Sequence, residues 1–256
     1  MITVDTPMLR HEWRHWLRDP GIFLSTLAVP FVLTLFLEPT FRSLSVATRD
    51  PTVGIAQLVP GMMVLFAFFL VNQVGFALFR EHGWGTWDRL RFAGVQPARV
   101  LASKATIPIV LGFAQGLILC VATRWLGYRP SFGPLVLVLT THGILVIVDV
   151  AIGLLLAASL RNVQQIATFA AVGAMINGGL GGAITPTALL PGWVQPFTVL
   201  APSHWAMRAM RAAQLDTPDR MTTVLQSWLV LVGFGVVFLF AAARRFRMDE
   251  SKRSWA

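Results

Sequence analysis

Arg80-Glu81-His82-Gly83-Trp84-Gly85-Thr86-Trp87-Asp88-Arg89-Leu90-Arg91-Phe92-Ala93-Gly94-Val95-Gln96-Pro97-Ala98-Arg99 is a polar, arginine-rich island between two long apolar runs. The run before it covers Leu58–Phe79, and the run after it begins near Ala105. Such an island does not lie in hydrocarbon, where each unpaired polar group costs several kcal/mol. It projects into water on one side of a membrane.

The composition agrees. Hydrophobic residues make up 55% of the 256-residue chain and charged residues only 13%, whereas soluble domains carry about 25% charged residues. The chain is therefore expected to be an integral membrane protein folded as one domain over 1–256, since no long Ser/Gly/Pro-rich linker divides it. The net charge of +9 is scattered over short loops. That distribution suits a cytoplasmic membrane surface better than nucleic acid. The single cysteine, Cys120, lies in an apolar run and rules out an intrachain disulfide. Residues Met8–Asp19 have no apolar core and no small-residue cleavage site, so no cleavable signal is expected there. The basic residues are nearly all arginine, with Lys104 and Lys252 the only lysines, which points to a GC-rich bacterial source.

Met8–Asp19 reads instead as an amphipathic helix lying in the lipid interface, within an interfacial segment over 1–20. Leu9, Trp13, Trp16 and Leu17 share one face and Arg10, Arg14 and Arg18 another. Six later runs are long enough to span, given that about 17–25 residues are needed. They are placed at 21–38, 58–79, 105–126, 135–158, 164–184 and 224–243. Pro60 suits the first turn of its helix. Ala170, Ala174, Gly178 and Gly182 form a small-residue stripe, fit either for packing within the bundle or for a seam between copies. Of the 21 Lys and Arg, fourteen fall on the side of the N-terminus, the 80–104 loop, Arg161 and the 244–256 tail. The positive-inside rule then places both termini and the island in the cytoplasm. The longest outer segment, 185–223, is rich in Pro and Trp and is expected to be a re-entrant pair of short helices.

Polar side chains inside the spans mark a candidate transport path: Asn72, Gln73, Gln115, His142, Asp149 and Asn177. They serve equally as interhelical hydrogen bonds that hold the bundle. Asp149 is the one deep acid, which requires a partner or water and would also suit a proton-coupled carrier. His11-Glu12-Trp13-Arg14-His15 matches H-E-x-x-H, the zinc-protease pattern. Arg10 and Arg14 would repel a dication, and the nearest completing acids, Asp19 and Glu38, are badly placed, so no metal site is expected. No Gly-Lys-Ser/Thr phosphate loop exists, so the chain has no ATPase of its own.

Val59-Pro60-Gly61-Met62 opening a span, Arg80-Glu81 followed by Gly85-Thr86-Trp87-Asp88-Arg89-Leu90-Arg91, and Lys104 opening the next span together resemble the permease subunits of ABC-2-type exporters, including daunorubicin-resistance-like ones. So do Leu190-Pro191-Gly192-Trp193-Val194-Gln195-Pro196 and Ala201-Pro202-Ser203-His204-Trp205-Ala206 with Arg208 and Arg211. Trp87 stands where the family usually has Leu, with Asp88 supplying the following acid. The resemblance implies an all-α membrane protein of six spans with an N-terminal interfacial helix. It implies a cytoplasmic coupling helix between spans two and three and an outer re-entrant segment before the last span. It further implies a second permease copy, identical or related, and a separate ABC ATPase holding ATP and Mg, with no cofactor on this chain. Arg80, Glu81, Gly85, Thr86, Asp88, Arg89 and Arg91 become candidate ATPase-coupling residues. The implied activity is export of a drug, antibiotic or lipid across a bacterial inner membrane. Glycan export by the same fold is the alternative.

Overall fold

The structure is a computed structural model describing residues 21, 24–49, 54–83, 87, 89, 92–215 and 218–246. Among these residues it is helical throughout, with no strands. A π-helical turn at Leu24–Ala28 leads into α1 (Val29–Thr48), followed by α2 (Ile55–Ala67), α3 (Leu70–Gly83) and α4 (Pro97–Ala122). Then come α5 (Phe132–Ser159), α6 (Val163–Leu180), α7 (Pro202–Gln214) and α8 (Arg220–Arg245). The interfacial helix expected over 1–20, with its His11, Glu12 and His15, lies outside the described residues.

Among the described residues, five segments are long and apolar enough to cross a membrane: Thr26–Ala47, Ile55–Glu81, Pro97–Leu126, Phe132–Ser159 and Arg220–Arg245. The run expected as a fifth span at 164–184 forms the shorter α6, an 18-residue helix that carries Gln164, Gln165 and Asn177. The first span also sits later than 21–38. Arg42 Nε donates to Glu38 Oε1 at 2.6 Å, one turn apart. That pair satisfies both charges on one face, so α1 runs on past the polar residues that were read as its end.

The long α5 is the axis of the bundle, with α3, α4, α7 and α8 packed around it. Close approach depends on small residues, because lipid offers no hydrophobic drive for helices to associate. A side chain at Gly116 of α4 would overlap the His142 ring of α5, and one at Gly153 of α5 would press on the Val71 backbone of α3. On the opposite side, Trp228 Nε1 of α8 donates to Thr141 Oγ1 at 2.8 Å. The small-residue stripe of α6 is used inside the chain. Ala170 and Ala174 are buried with Phe68 and Val71, and Gly178 lies against Leu65. The outward face of α6 carries Phe169, Val172, Met175 and Ile176, all exposed and suited to lipid.

The second span is broken. α2 stops at Ala67 and α3 starts at Leu70, with three-residue hydrogen bonds from Phe69, Val71 and Asn72 tightening the junction. Pro60 is not in the first turn of its helix as expected, since α2 begins five residues earlier at Ile55. The ring removes the N–H that would have bonded the Ala56 carbonyl. Gln214 Nε2 of α7 donates to that carbonyl instead, at 3.1 Å.

Candidate functional site

At one end of the bundle, α3 and α4 flank the polar island. Glu81, on the last turn of α3, is buried and accepts a hydrogen bond from Lys104 Nζ, on the second turn of α4. Lys104 is 2% exposed and Glu81 6%. This changes two expectations. Lys104 is no loop residue, because α4 already begins at Pro97, a suitable first helical position for proline. Glu81 presents no free carboxylate to a partner, because its charge is met within the chain. An ion pair withdrawn from water survives only when the two groups are held together, and losing one partner leaves an uncompensated buried charge. The pair therefore locks the ends of the two helices on either side of the island.

Trp87, in the middle of the island, is also buried. Its ring meets Phe246, just past α8, edge-on at 5.8 Å. The indole in the place of the family's usual Leu thus anchors the island to the last helix. Arg80 is half-buried and Arg89 exposed. Gly85, Thr86, Asp88 and Arg91 lie outside the described residues.

Within the spans, Gln115, His142 and Asp149 are fully buried, and Asn72 and Gln73 half-buried. His142 Nε2 lies 2.9 Å from the Gly112 carbonyl of α4. His142 and Asp149, seven residues apart, share one face of α5. The structure thus gathers His142, Asp149, Gln115 and Asn72 on the three central helices α3, α4 and α5. Their hydrogen bonding is incomplete: among the described residues, Asn72 Oδ1, both polar atoms of Gln115, His142 Nδ1 and both oxygens of Asp149 have no partner. Of the partner or water that Asp149 requires, the described residues supply no partner. Native interiors leave few such atoms, and a cluster of them calls for an explanation.

Asn177 belongs elsewhere. At the opposite end of the bundle, Ser203 Oγ of α7 donates to the Asn177 backbone oxygen and lies 2.8 Å from its Oδ1. Beside it, Gln57 Nε2 donates to the Gly182 carbonyl at 2.6 Å, and Arg211 Nε donates to Gln57 Oε1 at 2.6 Å. Gly61 lets the α2 backbone meet the Ala183 carbonyl, where any side chain would collide. Gly182 turns the chain with φ +75, the left-handed conformation that glycine adopts without strain. Together these contacts latch α7 onto α2 and onto the turn that ends α6.

This order of parts coincides with what similarity finds. The family described as ABC-2 type transporter matches residues 7–215, from the N-terminal segment to the end of α7. The chain belongs to the ABC-2 type transporter family. It is 24% identical over 192 residues to the linearmycin resistance permease protein LnrN of Bacillus subtilis, a match covering 75% of this chain and 49% of LnrN. It is 25% identical over 210 residues to the probable doxorubicin resistance ABC transporter permease protein DrrC of Mycobacterium tuberculosis, covering 79% of this chain and 74% of DrrC. The chain thus spans about half the length of LnrN. As an ABC-2 membrane protein, it holds both the island and the latch inside the matched region, while α8 falls beyond it.

The latch was not visible in the sequence. Gln57 and Arg211 are 154 residues apart. A signal did exist in Pro60, whose place inside an apolar helix leaves a carbonyl in need of a donor.

Proposed function

We propose that this ABC-2 family chain is the permease half of an ATP-driven exporter, and that it moves an apolar or amphipathic compound such as a drug, antibiotic or lipid out of a bacterial cell. In this reading α6 completes a six-span bundle with both termini in the cytoplasm, and 185–214 dips into the outer leaflet. A second permease copy, identical or related, faces the first. A separate ABC ATPase carries ATP and Mg and grips the island, where Arg89 and Arg80, with Gly85, Thr86, Asp88 and Arg91, meet it.

The observation that carries this reading is the buried Glu81–Lys104 pair. A force on the island reaches α3 and α4 together rather than bending the loop, and through Trp87 and Phe246 it reaches α8. Glu81 then acts as a positioning residue, holding the island rather than touching the ATPase. The unsatisfied groups of Asn72, Gln115, His142 and Asp149 sit where a path would open between α3, α4 and α5. In a second state, water or polar parts of the cargo would complete their hydrogen bonds, which is the differential contact a switch requires. A groove of about 550 Å³, lined by Leu101, Ala105, Leu154, Leu239 and Ala242, lies at the inner end between α4, α5 and α8. Its apolar walls favour a hydrophobic or amphipathic cargo over a glycan.

The test is reconstitution of the chain with its ATPase in vesicles. Efflux should require ATP hydrolysis and should stop when the ATPase subunit is omitted or its catalytic acid replaced. Efflux by this chain alone, driven by a proton gradient, would overturn the reading.

A further inference from the structure

Beside the latch, a cleft of about 480 Å³ opens at the end of the bundle remote from Glu81 and Lys104. It is bounded by the turn at Gly181, by Thr187, by His204, Arg208 and Arg211 of α7, and by Thr223 of α8. We propose that this cleft binds the phosphate of a membrane phospholipid headgroup, with the acyl chains lying along α8.

Charge is the first reason. Among the described residues no carboxylate lines the cleft, and the nearest acid on the facing helix is Asp219, one turn before Thr223 and next to Arg220. Arg211 is held by Gln57 through its Nε, which fixes one positive charge at the rear wall. The Arg208 guanidinium lies over the Trp205 ring at 5.4 Å. Among the described residues no acceptor takes its N–H groups, and a guanidinium edge suits two-pronged phosphate recognition. His204 is half-buried, and burial, with Arg208 and Arg211 nearby, lowers its pKa below the ordinary imidazole range.

Position is the second reason. The cleft lies where α8 enters its apolar run at Arg220, the level of lipid headgroups. On either side of Thr223 in α8, Met221 and Leu225 are apolar and more than half exposed. A soluble anion would gain nothing from these side chains, whereas an amphiphile uses both the cations and the apolar rim. The cleft volume is within the range of about 300–1,000 Å³ of small-ligand sites.

The experiment uses the purified full-length chain in detergent, without an ATPase, so it does not depend on the transport reading. Binding of phosphatidylglycerol, of diacylglycerol with the same acyl chains, and of inorganic phosphate is followed by native mass spectrometry. Phosphatidylglycerol should bind clearly more tightly than diacylglycerol. Arg208→Gln should weaken it about tenfold, the scale of losing charge-assisted hydrogen bonds, and His204→Gln should weaken it less. Arg208 is exposed and makes no hydrogen bond to the other described residues, so the variant should keep its gel-filtration profile. Equal binding by wild type and Arg208→Gln would overturn the proposal. So would displacement of the lipid by inorganic phosphate alone, which would mark a free-anion site.

Discussion

Two buried acids of this chain are treated in opposite ways, and their variants should separate. Glu81 has Lys104. Replacing either one, as in Glu81→Ala or Lys104→Met, should cost about 3–5 kcal/mol by leaving a lone buried charge. The double variant Glu81→Leu with Lys104→Met should recover much of that loss. Thermal midpoints in detergent would check it, and a double variant no better than the worse single one would count against the pairing. Asp149 has no hydrogen-bond partner among the described residues. Asp149→Leu should therefore leave stability unchanged or raise it by about 1–3 kcal/mol, the cost of an unsatisfied buried group, while efflux falls. A marked drop in thermal midpoint would show that Asp149 holds the bundle instead of serving the path.

Among the elements, α7 depends on others for its place. It is a 13-residue helix between turns, and its ties to the bundle run through Gln57, Gly182 and Asn177. Arg211→Ala or Gln57→Ala should cost about 1–3 kcal/mol, since each strands polar atoms of the latch. Gly61→Val should do at least as much by forcing α2 off the Ala183 carbonyl. The donor that Gln214 supplies to Ala56 gives a sharper test. Gln214→Ala should be costly with Pro60 in place. It should cost less in a Pro60→Ala background, where the helix supplies its own N–H. A double-mutant cycle on unfolding in detergent measures that difference, and additive effects would show that the Gln214 bond does no such repair.

For the whole molecule, the question is whether a push on one end reaches the other. Arg89 is exposed on the island, so Arg89→Glu should leave stability within about 0.5 kcal/mol. Copurification of the ATPase and its stimulation should nevertheless fall severalfold. Intact copurification and efflux in this variant would move the contact off the Arg89 face. The route from the island to the latch runs along α3 and α2, across the break at Phe68 and Phe69, where short-range bonds replace the regular ladder. A break there lets the two halves of one span tilt separately.

The sequence by itself determined the class of the protein. Long apolar runs leave the backbone no partner in lipid but itself, so helices follow, and a charged stretch such as 80–99 is forced out to water. It also exposed the misfits: Asp149, Gln115 and Asn72 stand out because a polar side chain in such a run is costly wherever the chain goes. It did not show where α1 would end, because Glu38 and Arg42 cancel one another only once the helix has formed. Nor did it show that Glu81 looks inward, that Trp87 would be buried by Phe246, or that Gln57 would meet Arg211. Those pairings join residues 23 to 159 positions apart, and no helical period links such distances. The tertiary structure alone decided them, because satisfying a buried polar group depends on which helix lies beside it, a matter of packing geometry rather than of local pattern.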